Sequence, residues 1–543
     1  MSRIACLLAL HSAFASAKPH VTHSTSLPGV GRSDRLAVSK LRPLPPPDNV
    51  DLHIWEEVNT PKPKNMLINK DDVWRTASES DDFTGAIVSD ATLCAPHPSH
   101  TLLSYTHGTP ADHTPCLARR SQRTAGGDRE WEVSAPITFQ YRVRESPDVF
   151  DLANDALIYG HLDDGDMLAK ARSRTLKRVV VIDEEVYKLY GKRIDAYFAH
   201  YNVTMQLLVL PTTEENKNMD MVLEIAEAIH DLGIDRRLDP VIAIGGGVCM
   251  DIVGFAASIY RRRTPYIRVP TTLMGYVDAS IGAKSGVNFY TPSDGWRKNK
   301  LGSYMPPKLT LLDKSFLATL PKRQLANGAA EIAKMAIVKD PELFELLVNH
   351  GSELIDSKFQ EGDEAEHGVA SRVLYLAIQT MLEELAPNLW EDSLERLVDF
   401  GHVFSMELEM AELFDGEGAV SIDSKLFHGE AVSIDMAFSA SLAYVRGHID
   451  EPTFVTTLQM LRDLALPIIH KDFDAEMANL ALYERVKFSS GQKIPLPVGR
   501  GVARIFNDVT KEQIFEALDE WERRAAVLEE REPVARAHAV LER

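Results

Sequence analysis

Four apolar residues, VIAI (241–244), run into three glycines, Gly245–Gly247, and a helix-like stretch opens at once. A short apolar strand that stops on glycines and turns straight into a helix is one unit of an α/β layer. The helix must then cross back over a sheet. Backbone without side chains lets a pyrophosphate approach, and the helix N-terminus favours its negative charge. Such turns also close ordinary strand–helix junctions, so the glycines alone leave nucleotide binding open.

The flanking sequence repeats the alternation. RVVVID (178–183), MQLLVLP (205–211) and YIRVPTT (266–272) are apolar runs bounded by turn signals. Helix-like EEVYKLYGKRIDAYFAHY and MDMVLEIAEAIHDLG lie between them, and ITFQYRV alternates like a strand. Strand and helix in alternation predict a parallel sheet with crossover helices, its ligand crevice at the strand ends. After residue 312 strand signals nearly vanish. LANGAAEIAKMAIV, ASRVLYLAIQTMLEEL, EDSLERLVDFGHVFSMELEMAELF and HGEAVSIDMAFSASLAYVRG all read as helices. The expected fold is α/β plus all-α: a Rossmann-like domain over 131–312, a helical domain over 313–525 and a charged tail over 526–543. Polar residues 48–130 read as an irregular extension. No internal repeat is found.

Composition narrows the function classes. Lys and Arg number 59 against 79 Asp and Glu, a net charge of −20. That argues against nucleic acid as partner but allows a local basic pocket for one phosphate. No apolar run reaches membrane-span length. Cys6, Cys94, Cys116 and Cys249 form no CxxC pair, and Cys249 reads as a small packed residue. Residues 1–47 look like an address, with a short apolar core, small residues at Ala13, Ala15 and Ala17, then an acid-poor basic stretch. The SAFA run resembles the bipartite plastid signals of algae with secondary plastids; a secreted or cytoplasmic protein is the alternative.

Several polar residues stand where chemistry is possible. Asp183 ends one strand, and Glu214 and Lys217 share a turn after the next, near one sheet edge. Asp278 and Lys284 follow the glycine turn. Glu331 and Lys334, three apart, share a face otherwise small and apolar, as an exposed pair or a buried functional one. His402 follows a glycine within a helix-like stretch, and His428 precedes Gly429. One carboxylate and two imidazoles suit Zn²⁺ with an open fourth position, but their separation in sequence proves nothing.

From about 131 to 525 the chain resembles the sugar phosphate cyclases of the dehydroquinate synthase superfamily. The blocks are GGGVCMD, RVPTTLMGYVDASIGAKSGVN, KNKLGSY, LPKRQLANGAAEIAKMAIVKD, VDFGHVF and FHGEAV. The resemblance implies an NAD-binding domain, a helical metal-binding domain and a cleft between them. It implies Zn²⁺ or Co²⁺ on Glu331, His402 and His428. It implies NAD contacts from Asp183, Glu214, Lys217, Gly246, Gly247, Val248, Asp251, Thr271 and Thr272. It assigns the sugar phosphate to Asp278, Lys284, Lys298, Asn299, Lys334 and Arg262, the last able to reach across a homodimer interface.

Departures from the pattern point to a substrate. Met406 stands where dehydroquinate synthases carry a second histidine. Glu395 and Asp399 stand where an arginine and an asparagine hold a substrate carboxylate. Two acids there would repel a carboxylate, which favours sedoheptulose 7-phosphate. GAKSGVN and HGEAV, with Glu430 as marker, resemble the 2-epi-5-epi-valiolone synthases more than the demethyl-4-deoxygadusol synthases. A demethyl-4-deoxygadusol synthase on the same substrate is the first alternative; 3-dehydroquinate synthase or a metal-dependent alcohol dehydrogenase of the glycerol dehydrogenase type is the second. YTPSDGW (290–296) reads as an insertion near a lid.

Overall fold

The computed structural model describes residues 139–541 except 293–294, 361–367, 414–425 and 490. It also describes four two-residue strands between 117 and 134, and side chains of the last helix as far as residue 528. The address read in residues 1–47 lies outside the described residues, as does most of 48–130. At the end of the stretch read as irregular, Gln122–Arg123 pairs with Arg129–Glu130, and Leu117–Ala118 pairs with Val133–Ser134 just beyond it.

Six strands form one parallel sheet: β1 (Arg142–Glu145), β2 (Lys177–Asp183), β3 (Thr204–Leu210), β4 (Val241–Gly245), β5 (Tyr266–Pro270) and, after a hairpin, β8 (Leu309–Leu312). Their order is β1-β8-β5-β4-β2-β3. β4 and β5 are buried at every residue, which is why they read as unbroken apolar runs, whereas edge strand β3 is half-exposed. The chain runs from β2 out to β3, then returns to β2's other side as β4. The order therefore reverses between β2 and β4, and Asp183 and Gly245 end those two strands. This switch point is where such sheets bind ligands.

Crossover helices α2 (Glu184–His200), α3 (Met219–Leu232) and α4 (Gly247–Ile259) connect the strands; a shorter helix, α1 (Gly165–Arg172), precedes β2. Asp183 caps α2 by accepting from the backbone N–H groups of Glu185 and Val186. Gly233, at φ 62°, ends α3 in the left-handed conformation. α4 opens on Gly246 with no side-chain cap. Cys249 packs wholly buried in α4, and burial pushes its thiol up, as expected of a packed residue. The antiparallel hairpin β6 (Lys284–Thr291) and β7 (Gly295–Tyr304) follows β5, and within YTPSDGW Tyr290 pairs with Trp296 and Thr291 with Gly295.

The second half is helical, as expected. α5 (Lys322–Val338) and α9 (His428–Val445) are buried along nearly their whole length and form its centre. Around them pack α6 (Pro341–Asp356), α7 (Val369–Leu385), α10 (Glu451–Asp463) and α12 (Lys511–Leu541), with α11 (Ala475–Ser489) against α12. Trp521 of α12 is fully buried and donates to the Ile468 carbonyl at 2.7 Å. α12 runs through residue 525, so no break separates the expected tail from the helix before it.

Two details differ from the sequence reading. Ile494–Gly499 pairs antiparallel with Val502–Phe506, a hairpin hidden by Pro495 and Pro497. The stretch EDSLERLVDFGHVFSMELEMAELF is not one helix. Only Ser405–Leu413 (α8) is α-helical, and His402 lies in the turn before it. At the histidine the break is made by Gly401, at φ 75°, which presses bare backbone onto α9. A Cβ there would meet Met436 Cγ and Val432 Cγ1, both at 2.8 Å.

Candidate active site

The loop after β5 links the two halves of the site. Gly246 lies against it so closely that a Cβ would meet Thr272 Cγ2 at 3.2 Å, and one on Gly247 would meet Ala279 at 3.3 Å. The same loop packs on α5: a Cβ on Gly328 would fall 2.4 Å from the Met274 nitrogen. Asp278 sits in a π-helical turn, Gly275–Ala279, between these contacts. The glycine turn and α5 are thus held a few residues apart by one segment.

The glycine turn fits a dinucleotide phosphate. The α4 N-terminus is uncapped, its glycines leave open backbone, and the buried Thr271 hydroxyl has no hydrogen-bond partner among the described residues. Thr272 accepts from the Gly275 N–H at 3.1 Å and so shapes the loop. Asp183 already caps α2 and accepts from the Thr212 hydroxyl, which leaves it fewer free lone pairs. Val248 lies in the first turn of α4. Lys217 is buried deeper than a simple ligand contact requires. Its ammonium pairs with Asp251 at 2.6 Å and donates to Asn299 at 2.7 Å. Burial works against that charge, but Asp251 and Glu214 outweigh it and raise its pKa. Glu214 accepts from the Asn288 amide at 3.0 Å, and Asn288 also accepts from the Asn299 N–H at 3.0 Å. Glu214, Lys217, Asp251 and Asn299 therefore tie the β6–β7 hairpin to the sheet. Asn288, which joins them, escaped the sequence reading.

On α5 the Glu331 carboxylate is wholly buried. Its Oε1 lies 3.3 Å from His428 Nε2 and 3.6 Å from His402 Nε2. Ligand atoms of all three residues lie within 4.8 Å of one another. Neither Glu331 oxygen receives a well-directed hydrogen bond among the described residues, although Lys334 pairs with Oε2. A buried carboxylate facing two imidazole nitrogens is a donor set that fits a divalent cation. Lys334 is buried beside it, so the pair is not the exposed one the spacing allowed.

The titratable groups of the cluster are strongly shifted, and not all in one direction. Burial alone would raise the Glu331 carboxyl, but Lys334, His402 and His428 hold it well below the usual range. Burial lowers His402 to about 3 against the pull of Glu331, so its imidazole is neutral, as ligation requires. Burial and Lys298 oppose charge on His428, yet Glu409 and Glu331 lift it to about 9, so before a cation enters, the ring holds a proton that ligation has to displace. Burial and then Glu331 raise Asp278, while Lys334 and Lys284 partly offset them. Burial opposes the Lys334 charge, and Glu331 and Asp278 overcome it.

Of the remaining candidates, Lys298 lies beside the cluster, 3.4 Å from His428 Nδ1, and the others fall on the rim or beyond. Lys298 pairs with Glu409 of α8. Lys284 is half-exposed and pairs with Glu391 at 2.7 Å. Arg262 is exposed at the far end of α4 from the glycine turn, in a run of positive-φ residues, Arg261–Arg263. None of the described contacts within the chain brings it to the centre.

Glu395 and Asp399 do not form the repelling pair that the sequence suggested. Glu395 is exposed. Asp399 is buried but neutralised, with Arg396 at 2.6 Å and Arg485 at 2.5 Å. Arg396 also pairs with Glu391, so charges alternate from Lys284 through Glu391, Arg396 and Asp399 to Arg485. Glu430 is likewise structural: it pairs with both Arg323 Nε and Nη2, at 2.7 and 2.8 Å, and accepts from the Phe427 N–H. It fixes the start of α9, and hence the position of His428.

Comparison with known proteins agrees with this geometry. The 3-dehydroquinate synthase N-terminal family model matches residues 207–327, and the C-terminal one matches 328–487. A 2-epi-5-epi-valiolone synthase of Streptomyces hygroscopicus subsp. jinggangensis is 46% identical over 389 residues, 72% of this chain and 88% of that protein. A demethyl-4-deoxygadusol synthase of Trichormus variabilis is 35% identical, over 68% of this chain and 84% of that protein. Among solved structures, ValA, a 2-epi-5-epi-valiolone synthase from the same Streptomyces with NAD⁺ and Zn²⁺ bound, aligns with a TM-score of 0.64 at 45% identity. That alignment covers 73% of this chain and 100% of ValA. With a parallel sheet that ends in an open glycine turn, a buried Glu–His–His cluster on the helical side, and these relatives, the chain belongs to the dehydroquinate synthase family.

Proposed function

We propose that this chain is a sugar phosphate cyclase that converts sedoheptulose 7-phosphate to 2-epi-5-epi-valiolone with release of phosphate, using NAD⁺ and Zn²⁺ or Co²⁺. The observation that carries this reading is the meeting of Glu331, His402 and His428 beside the loop that also lines the glycine turn. Bound there, the dinucleotide supplies reversible hydride uptake and the cation polarises a substrate hydroxyl.

The chain's own groups do the rest. Lys334, held charged by Glu331 and Asp278, acts as a fixed donor rather than a base. Asp278, its carboxyl raised by burial and Glu331, suits a proton exchange at the reacting carbinol. Lys298 and Lys284, each tethered by a carboxylate, offset charge on the departing phosphate. Glu391 and Asp399 already engage Arg396, which leaves it poorly placed to take a substrate carboxylate. That supports a neutral sugar end on different grounds from simple repulsion. We extend the proposal to a homodimer in which the exposed Arg262 reaches the partner's site, and to a plastid address in residues 1–47, testable by fusing that segment to a fluorescent protein.

The test is incubation with sedoheptulose 7-phosphate, NAD⁺ and Zn²⁺ or Co²⁺. Phosphate release without NADH accumulation, and a cyclic product identified by mass spectrometry and NMR, are expected. NADH build-up without phosphate release would instead mark a dehydrogenase. Efficient conversion of 3-deoxy-arabino-heptulosonate 7-phosphate to dehydroquinate would overturn the substrate assignment.

A further inference from the structure

We propose that Glu409 is the positioning residue of this centre: one carboxylate oxygen fixes the tautomer of His428 while the other restrains Lys298, so that the histidine keeps a free nitrogen for the cation. The inference rests on reading Glu331, His402 and His428 as a cation site.

Glu409 is buried on α8. Its Oε2 lies 3.0 Å from His428 Nδ1. Its Oε1 takes the Lys298 ammonium. With the Nδ1 proton donated to Glu409, His428 Nε2 is the nitrogen left for a cation, and it faces Glu331 Oε1 at 3.3 Å. Such a carboxylate behind a ligating imidazole orients the ring and raises its basicity.

His402 is oriented by a different device. Its Nδ1 lies 3.0 Å from the Phe400 carbonyl, which only accepts, so Nδ1 donates and Nε2 is again the free nitrogen. His428 is more vulnerable, because Lys298 Nζ sits 3.4 Å from its Nδ1. An ammonium only donates. Left alone with His428, Lys298 would donate to the Nδ1 lone pair and place the ring proton on Nε2. The nitrogen that faces Glu331 would then be closed to a metal. Glu409 accepts from both donors and so prevents this.

This gives an outcome that simple loss of packing does not share. In the full-length protein stripped of metal, Zn²⁺ affinity is measured by chelator competition, with the thermal midpoint of each metal-free variant recorded. Glu409→Ala is expected to weaken Zn²⁺ binding about 10–100-fold, the range for loss of an outer partner of a ligand. Lys298→Met alone is expected to bind Zn²⁺ at least as tightly as the wild type. Adding Lys298→Met to Glu409→Ala is expected to restore most of the lost affinity, because the competing donor is gone. If the alanine variant does not fold, Glu409→Leu, which keeps the bulk and offers no acceptor, serves in its place, with the same direction of change expected.

Zn²⁺ affinity within about twofold of wild type in the Glu409 variant, against the loss expected for such a partner, overturns the proposal, as does a double variant no tighter than the single one. Failure of the wild-type protein to bind one Zn²⁺ or Co²⁺ per chain is a separate result, which removes the cation site itself.

Discussion

Gly401 places the proposed ligand His402 by backbone conformation, and its replacement by alanine isolates that effect. A left-handed residue other than glycine costs about 1–2 kcal/mol. Here the added methyl would also lie 2.8 Å from Met436 Cγ and Val432 Cγ1 and 3.2 Å from the Val432 carbonyl oxygen. Overpacking of that kind adds about 1–3 kcal/mol. Gly401→Ala should therefore destabilise by about 2–5 kcal/mol. Gly447 is a matched control, at φ 71° with open space for 4 Å around the place a Cβ would take. Gly447→Ala should cost only the conformational part, about 1–2 kcal/mol. Urea midpoints at constant m give the difference. The overlap has a second consequence. Relief requires the turn to back away from α9, and His402 moves with it. Zn²⁺ affinity should fall at least tenfold in Gly401→Ala and stay unchanged in Gly447→Ala. Equal destabilisation in the two variants would refute the overlap. Full destabilisation with unchanged Zn²⁺ affinity would refute the claim that this turn places the ligand.

Two further expectations concern the site and its supports. Glu331→Gln or His428→Ala should abolish both metal uptake and phosphate release, and chelation of the wild type should do the same until Zn²⁺ or Co²⁺ is returned; unchanged turnover in either variant contradicts the ligand assignment. Asp435 predicts a pH effect on stability. Burial raises its carboxyl to about 6, although it accepts from the Phe404 and Ser405 N–H groups at 2.6 and 3.0 Å. Because the folded state holds this proton more tightly than the unfolded chain does, stability falls as pH rises from about 4 to about 6, by something on the order of 3 kcal/mol. Asp435→Asn should flatten that stretch of the denaturation-versus-pH curve, and an unaltered slope would show that Asp435 is not its source.

Much of the fold is legible in the sequence because local signals and tertiary demands agree. The central strands are buried on both faces, so they read as continuous apolar runs, and the glycines fall at the switch point where bare backbone is needed. What escapes the sequence has identifiable causes. Helical spacing around His402 misleads because one glycine, Gly401, pressed against α9, takes a conformation no helix allows, and periodicity carries no information about that contact. The hairpin at 494–506 is hidden because Pro495 and Pro497 read as breakers, although strands tolerate proline where no ladder bond is lost. The three proposed ligands are nameable from sequence, but Glu409 is not: α8 carries acids at 407, 409 and 412, and nothing in SMELEMAEL says which one turns inward. Asp399 shows the opposite failure. Its acidic character is plain and its consequence is not, because Arg485, 86 positions away, supplies a counter-charge that no local pattern announces. Charge in a buried site is a property of the pair, and the partner is chosen by the fold. A residue's sign read from sequence therefore predicts the local field only when its surroundings are known, which is why apolar patterning predicts the architecture of this chain better than its acids predict its pocket.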